Sequence, residues 1–181
     1  EGNNHYYATN QFQAEANLRA HYETTGLEIL RDLPDLDIFV AGIGTAGTIM
    51  GVGRRIKEHN SHVQVIGVTP RPGDEVQGLR SLEEGGYIPP LLDESLLDGR
   101  FLVDASTSFV AMGELLQKEG LFAGVSSGAV LHAALRIAER IPKGKIVILL
   151  ADSGWRYLPS LFGMQRLTAP GQDLDFQHDR F

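Results

Sequence analysis

An apolar run that leads into a loop of glycines and threonines constrains this chain more than any other segment. Residues 38–43 read Ile-Phe-Val-Ala-Gly-Ile, and Gly44, Thr45, Gly47 and Thr48 follow before a predicted helix. Glycines leave room for an anion beside the backbone, and the first amides of a helix point toward it. The threonines add hydroxyl donors. The segment therefore predicts a phosphate-binding turn between a buried strand and a helix.

Composition excludes several classes of protein. The 181 residues carry a formal net charge of −7 with scattered arginines, which argues against nucleic acid or an anionic membrane as the main partner. The chain has no cysteine, hence no disulfide framework and no thiolate metal site. Its apolar stretches are too short for a membrane span or a signal segment. We expect a cytoplasmic domain that acts on a small molecule and binds no metal.

Predicted strands and helices alternate along the chain, with strands expected at residues 38–43, 63–68, 101–103 and 146–151. A helix over residues 14–33 with a weak point at 24–26 comes before them. This order predicts an α/β fold with a doubly wound, mostly parallel sheet. The last run is apolar throughout, which predicts a strand covered on both faces. Ligands should bind at the carboxyl ends of the strands, near Gly44, Ser126 and Asp152.

The glycine loop has two interpretations besides a phosphate site. Residues 42–47 satisfy the G-x-G-x-x-G pattern of dinucleotide-binding folds. That pattern needs an acidic residue after the next strand, where this chain has Val68-Thr69-Pro70, although Arg71 would suit a phosphorylated ribose. The other alternative is a tight strand-to-helix turn without a ligand.

Four further motifs accompany the loop in a fixed order. Residues 10–12 read Asn-Gln-Phe and residues 20–26 read Ala-His-Tyr-Glu-Thr-Thr-Gly. Residues 124–129 read Gly-Val-Ser-Ser-Gly-Ala, and residues 151–158 read Ala-Asp-Ser-Gly-Trp-Arg-Tyr-Leu. With this set the chain resembles the carboxyl-terminal part of a cysteine synthase, a pyridoxal-phosphate enzyme of fold type II. The resemblance implies that residues 1–167 are that portion of the large domain, and we expect residues 168–181 to be a flexible tail.

The resemblance implies pyridoxal 5'-phosphate as the cofactor. In that family the loop matching Gly44, Thr45, Ala46, Gly47 and Thr48 holds the cofactor phosphate. The family usually has glycine where this chain has Ala46, which matters if that position needs a positive φ angle.

The serine that matches Ser126 contacts the pyridine nitrogen in the family, and a neutral hydroxyl leaves that nitrogen largely unprotonated. The alternative for Ser126 and Ser127 is capping of the helix that follows them. Asp152 and Tyr157 match a family motif that shapes the cofactor pocket.

Arg80 matches the position at which cysteine synthases that prefer O-phosphoserine carry an arginine for the substrate phosphate. A guanidinium can meet that group with two hydrogen bonds. An exposed loop arginine with no such role is the alternative, so O-acetylserine stays open as the activated serine.

The Schiff-base lysine of the family has no match in this chain. The lysines are Lys57, Lys118, Lys143 and Lys145, and each lies near a predicted helix end or turn. In cysteine synthases the reactive lysine lies in the amino-terminal half. We therefore expect an amino-terminal part to be missing, and the chain alone to be inactive.

The resemblance implies a parent enzyme that makes cysteine from activated serine, with sulfide or a thiocarboxylate on a sulfur-carrier protein as the donor. It also implies a homodimer, and one branch of the family binds serine acetyltransferase. Two alternatives remain: a non-catalytic module that binds phosphate or the cofactor, and another enzyme of this fold, such as a cystathionine β-synthase or a serine or threonine dehydratase.

Overall fold

The computed structural model describes residues 6–82 and 87–158, and the expected tail at 168–181 lies outside them. Within these ranges four strands form one parallel sheet in the order β3-β2-β1-β4. The strands are β1 (Ile38–Gly42), β2 (Gln64–Pro70), β3 (Gly99–Val103) and β4 (Ile146–Ile148). The α/β class and the parallel sheet predicted from the sequence are confirmed.

In the described part of the chain, five α-helices connect and cover the strands: α1 (Glu15–Glu23), α2 (Thr25–Asp32), α3 (Gly47–His59), α4 (Ala105–Glu119) and α5 (Val125–Ala138). Two short 3₁₀ helices lie at Glu94–Leu96 and Gly154–Tyr157. The predicted weak point is the boundary between α1 and α2 at Thr24. Gly120 ends α4 with a φ of 70°, a left-handed conformation that glycine adopts without strain.

Side chains of β1 alternate between two hydrophobic clusters, one on each face of the sheet. Phe39 and Ala41 pack with Ile49 and Met50 of α3 on one face. On the other face, Ile38 and Val40 pack with residues of α4 and α5. Helices thus cover both faces of the sheet, which confirms the doubly wound arrangement and places the turns after β1 and β2 along the same edge.

The last strand differs from its prediction in length and burial. Instead of residues 146–151, β4 comprises only Ile146–Ile148, and all three side chains are half-buried. It is an outer strand of the sheet formed by the described residues, hydrogen-bonded to β1. The apolar run predicts complete burial, but the described part of the chain covers this strand less fully than β1.

No helix in the described ranges has the length and apolar content that crossing a membrane would require.

Candidate active site

A large open cavity lies at the carboxyl edge of the sheet, where ligands bind in folds of this kind. Its volume is about 1090 Å³. Six of the seven predicted site residues line it: Gly44, Thr45, Ala46, Thr48, Arg80 and Ser126. The seventh, Gly47, is the first residue of helix α3 and lies in the chain between Ala46 and Thr48, which both line the cavity. The structure therefore brings together the residues that the sequence motifs had linked.

The loop between β1 and α3 turns at Ala46. This residue has φ 69° and ψ −5°, in the left-handed region, and its side chain is buried. A side chain with a Cβ is strained there, so the position is one where glycine would be easier to accommodate. The first amides of α3 follow this turn directly, and they have no carbonyl partner inside the helix.

Both loop glycines are also required by neighbouring protein atoms. A Cβ on Gly44 would lie 2.7 Å from the carbonyl oxygen of Gly78, and one on Gly47 would lie 2.2 Å from Oδ1 of Asn17. The predicted role of these glycines was to leave room for an anion. They also let helix α1 and the loop at Gly78 pack closely against the turn.

Thr45 is held by two donors. Asn17 donates from Nδ2 to Oγ1 of Thr45 at 2.9 Å, and the Gly47 amide donates to the same oxygen at 3.3 Å. Because that oxygen accepts twice, the hydroxyl proton remains for a further acceptor. Asn17 also donates to the carbonyl oxygen of Gln11 at 2.8 Å, so it joins the loop to another wall of the cavity.

Thr48 contacts a histidine that the sequence analysis assigned no role. His21 Nε2 lies 3.1 Å from Thr48 Oγ1, and His21 Nδ1 lies 3.1 Å from Thr25 Oγ1. Burial lowers the pKa of His21 from its usual 6.5, which favours the neutral ring. A neutral imidazole has one donor and one acceptor, so it can orient both hydroxyls. The sequence feature that could have linked Asn17 and His21 is their i, i+4 spacing, which places both on one face of α1.

Ser126 lies in the first turn of α5 and is 5% exposed. The residue at the helix cap is Gly124, and no side chain caps this end. The capping interpretation of Ser126 and Ser127 is therefore wrong, because the helix begins one residue before them. Ser127 is fully buried, and its hydroxyl has no partner among the described residues.

Arg80 lies at the cavity rim with its side chain exposed. Its amide donates to the carbonyl oxygen of Ile43 at 2.7 Å. This bond fixes the Arg80 backbone beside residues 44–48, the phosphate-type loop. Its guanidinium carbon lies 5.5 Å from the ring centroid of Phe12. Phe12 in turn packs edge-to-face with Tyr87 at 5.4 Å between centroids.

Asp152 and Tyr157 form a pair beside the start of α5. The Tyr157 hydroxyl donates to Asp152 Oδ2 at 2.7 Å, and burial followed by this hydrogen bond raises the pKa of Tyr157 to about 12. The Gly124 amide donates to the Asp152 carbonyl at 2.9 Å. Ala151 lines the cavity, whereas the pair supports the helix that carries Ser126.

The lysines lie away from the cavity wall described here. Three pair with acids: Lys57 with Asp98, Lys118 with Glu114 and Lys145 with Asp35. None of the four has the desolvated setting that a Schiff-base lysine needs. Within residues 6–82 and 87–158, no cluster of three or more His, Cys, Asp or Glu side chains is arranged to hold a metal ion.

Comparisons with known proteins agree with this geometry. A family model described as "Pyridoxal-phosphate dependent enzyme" matches residues 1–152. A cysteine synthase of Aquifex aeolicus is 40% identical over 159 residues, which are 84% of this chain and 48% of that protein. Cysteine synthase B of Salmonella typhimurium is 36% identical over 160 residues, 87% of this chain and 52% of that protein.

Among solved structures, an O-ureido-L-serine synthase superposes with a TM-score of 0.78 at 35% identity, covering 90% of this chain and 54% of the other. The chain thus spans about half the length of the relatives it matches. Because the family model covers most of the chain and the relatives share its fold, the chain belongs to the family of pyridoxal-phosphate dependent enzymes.

Proposed function

We propose that this chain is part of an enzyme that makes cysteine by replacing the β-substituent of an activated serine. Within that enzyme, the chain supplies the residues that bind the cofactor phosphate and the leaving group of the substrate. The observation that carries the proposal is that one cavity joins the 44–48 loop, Ser126 and Arg80. Since the chain covers about half of its relatives, the remaining catalytic groups, including the lysine, are assigned to the part of the parent protein outside it.

The residues of the 44–48 loop fit a phosphate group. The proton of Thr45 is left for an outside acceptor, and the positive end of the α3 dipole lies at the same loop. We assign the cofactor phosphate to Gly44, Thr45, Ala46, Gly47 and Thr48. When bound, pyridoxal phosphate supplies an electron sink that eases loss of the α-proton and of the β-leaving group.

Ser126 is assigned to the ring nitrogen of the cofactor. A serine hydroxyl is neutral, so it holds the nitrogen by a hydrogen bond and does not stabilise a protonated ring as a carboxylate would. Gly78 faces it closely, because a Cβ there would lie 3.4 Å from Ser126 Oγ.

Arg80 is assigned to the leaving group. Its position on the cavity rim and its permanent positive charge favour a serine activated by phosphate, since a guanidinium binds a phosphate through two charge-assisted hydrogen bonds. O-acetylserine is the second candidate for the activated serine. The sulfur donor would be sulfide or a thiocarboxylate on a carrier protein.

The assembly is also a proposal. We place the enzyme in the cytoplasm as a homodimer, with serine acetyltransferase as a possible partner. A stand-alone module of this length that binds the cofactor without catalysis is the competing function.

The intact mass of the native protein, treated with borohydride to fix any cofactor bound to lysine, separates these functions. The proposal expects a species about twice this size that carries one phosphopyridoxyl group, in line with the coverage of the relatives. An unmodified species of the present size would favour the binding module. Synthase activity from this chain alone would contradict the assignment of the lysine to the rest of the parent protein.

A further inference from the structure

We propose that Phe12 and Tyr87 are positioning residues for Arg80, and that this aromatic pair makes the enzyme selective for substrates with an anionic leaving group. The inference rests on the proposed function and adds a determinant of substrate class to it. All three residues line the same cavity.

The backbone and the side chain of Arg80 are held by different neighbours. The amide is fixed by its 2.7 Å hydrogen bond to Ile43, at the end of the segment that precedes the phosphate-type loop. The side chain extends from there over the face of Phe12, at 5.5 Å from the guanidinium carbon to the ring centroid. Without such a contact, an exposed arginine side chain would sample many rotamers.

Phe12 is itself oriented by a second ring. Its plane makes an angle of 85° with that of Tyr87, and the centroids are 5.4 Å apart. Edge-to-face packing of this kind is a preferred arrangement of aromatic pairs. Phe12 is far in the sequence from Arg80 and Tyr87, so its contacts with both depend on the folded chain.

The chemistry of the contact suits an arginine that must bind an anion. A guanidinium stacked on a ring leaves its N–H edge available, because the cation–π contact uses its face. Phosphate is recognised through that edge. The ring therefore reduces the freedom of the side chain without occupying the donors that the substrate needs, which lowers the ordering cost of binding.

The test compares binding of two unreactive amino acids to the holoenzyme that contains this chain. One is the phosphonate analogue of O-phosphoserine, in which a methylene replaces the ester oxygen, and the other is norleucine, whose side chain is neutral. Each Kd is measured from the change in absorbance of the bound cofactor, and the readout is the ratio of the two values. The variants are Arg80→Gln, Phe12→Leu, Tyr87→Leu and the conservative Phe12→Tyr.

Phe122→Leu is the matched control. Phe122 packs edge-to-face on Trp155 at 5.3 Å, and it does not belong to the cavity lining described above. Arg80→Gln should reduce the preference for the phosphonate at least about tenfold, because it removes charge-assisted hydrogen bonds. Phe12→Leu should reduce the preference about two- to fivefold, and Tyr87→Leu should reduce it by less. Phe12→Tyr should retain the preference, because the ring face is kept.

The outcomes separate the two proposals. If Arg80→Gln reduces the preference but Phe12→Leu behaves like Phe122→Leu, the positioning role is overturned and the assignment of Arg80 stands. If Arg80→Gln leaves the preference unchanged, the anionic leaving group is wrong, and the selectivity assigned to the aromatic pair is overturned with it.

Discussion

His21 Nε2 lies 3.1 Å from Thr48 Oγ1, on the side of the phosphate-type loop that faces helix α1. The other ring nitrogen of His21 lies 3.1 Å from Thr25 Oγ1, at the start of α2. One imidazole therefore connects the first two helices to a hydroxyl of the cavity wall. The role of this contact can be tested in two independent ways.

The first prediction concerns affinity for the cofactor. His21→Leu should raise the Kd for pyridoxal phosphate about fivefold, since the Thr48 hydroxyl loses the hydrogen bond that orients it. His21→Asn should recover part of the loss. Equilibrium dialysis of the holoenzyme measures the change, and His62→Leu, at an exposed position, is the control. Equal affinities for His21→Leu and His62→Leu would contradict the prediction.

The second prediction concerns pH. Burial lowers the pKa of His21 below its usual 6.5, so the unfolded chain binds the proton more readily than the folded one. The stability that depends on the neutral ring is present above pH 6.5 and is lost as the pH falls through the folded-state pKa. Urea unfolding at about pH 7.5 and about pH 5 should show a smaller acid-induced loss in His21→Asn than in the wild type. The same loss in both proteins would exclude His21 as its source.

The third prediction concerns the turn at Ala46. With φ at 69°, this alanine is strained in a way that glycine is not, so Ala46→Gly should raise the free energy of unfolding by about 0.5–1 kcal/mol. Asn10→Gly is the matched control, because Asn10 has φ 47° but asparagine tolerates this region. Urea midpoints give both values. A destabilised Ala46→Gly would mean that the contacts of the buried methyl outweigh the strain.

The fourth prediction compares Gly124, the cap residue before α5, with Gly113 inside α4. A Cβ on Gly124 would lie 1.9 Å from Asp152 Oδ1 and 2.6 Å from the ring of Tyr157. Gly124→Ala should therefore cost about 2–3 kcal/mol of unfolding free energy by overpacking. Gly113→Ala in α4 meets no atom within 4 Å and should stabilise the protein by about 0.5–1 kcal/mol. Thermal or urea unfolding of both variants measures the contrast.

Much of the fold was predictable because short apolar runs and glycines mark the ends of elements. The break between α1 and α2 was predicted at residues 24–26, and α4 ends at Gly120, a residue type that commonly ends helices. The strain at Ala46 was also predictable from the family resemblance, because the family usually has glycine where this chain has an alanine with φ 69°. These features depend on local chain geometry, which the sequence encodes directly.

The errors and omissions depend on contacts between distant segments. The side chains of β4 are only half-buried, because β4 is an outer strand of the sheet formed by the described residues. An apolar run does not reveal that position. The functional contacts of Asn17 and His21 were missed because polar residues at i, i+4 on a helix are usually solvated. Only their packing against α3 brings these side chains to Thr45 and Thr48.

The hydrogen bond from the Arg80 amide to the Ile43 carbonyl ties together two regions with different assigned roles. Ile43 immediately precedes the loop assigned to the cofactor phosphate, and Arg80 is assigned to the departing group of the substrate. A backbone shift on either side is transmitted to the other through this bond. Insertions or deletions near Arg80 that alter substrate choice should therefore also alter cofactor retention. Among homologues, we expect a change in one of these two properties to accompany a change in the other.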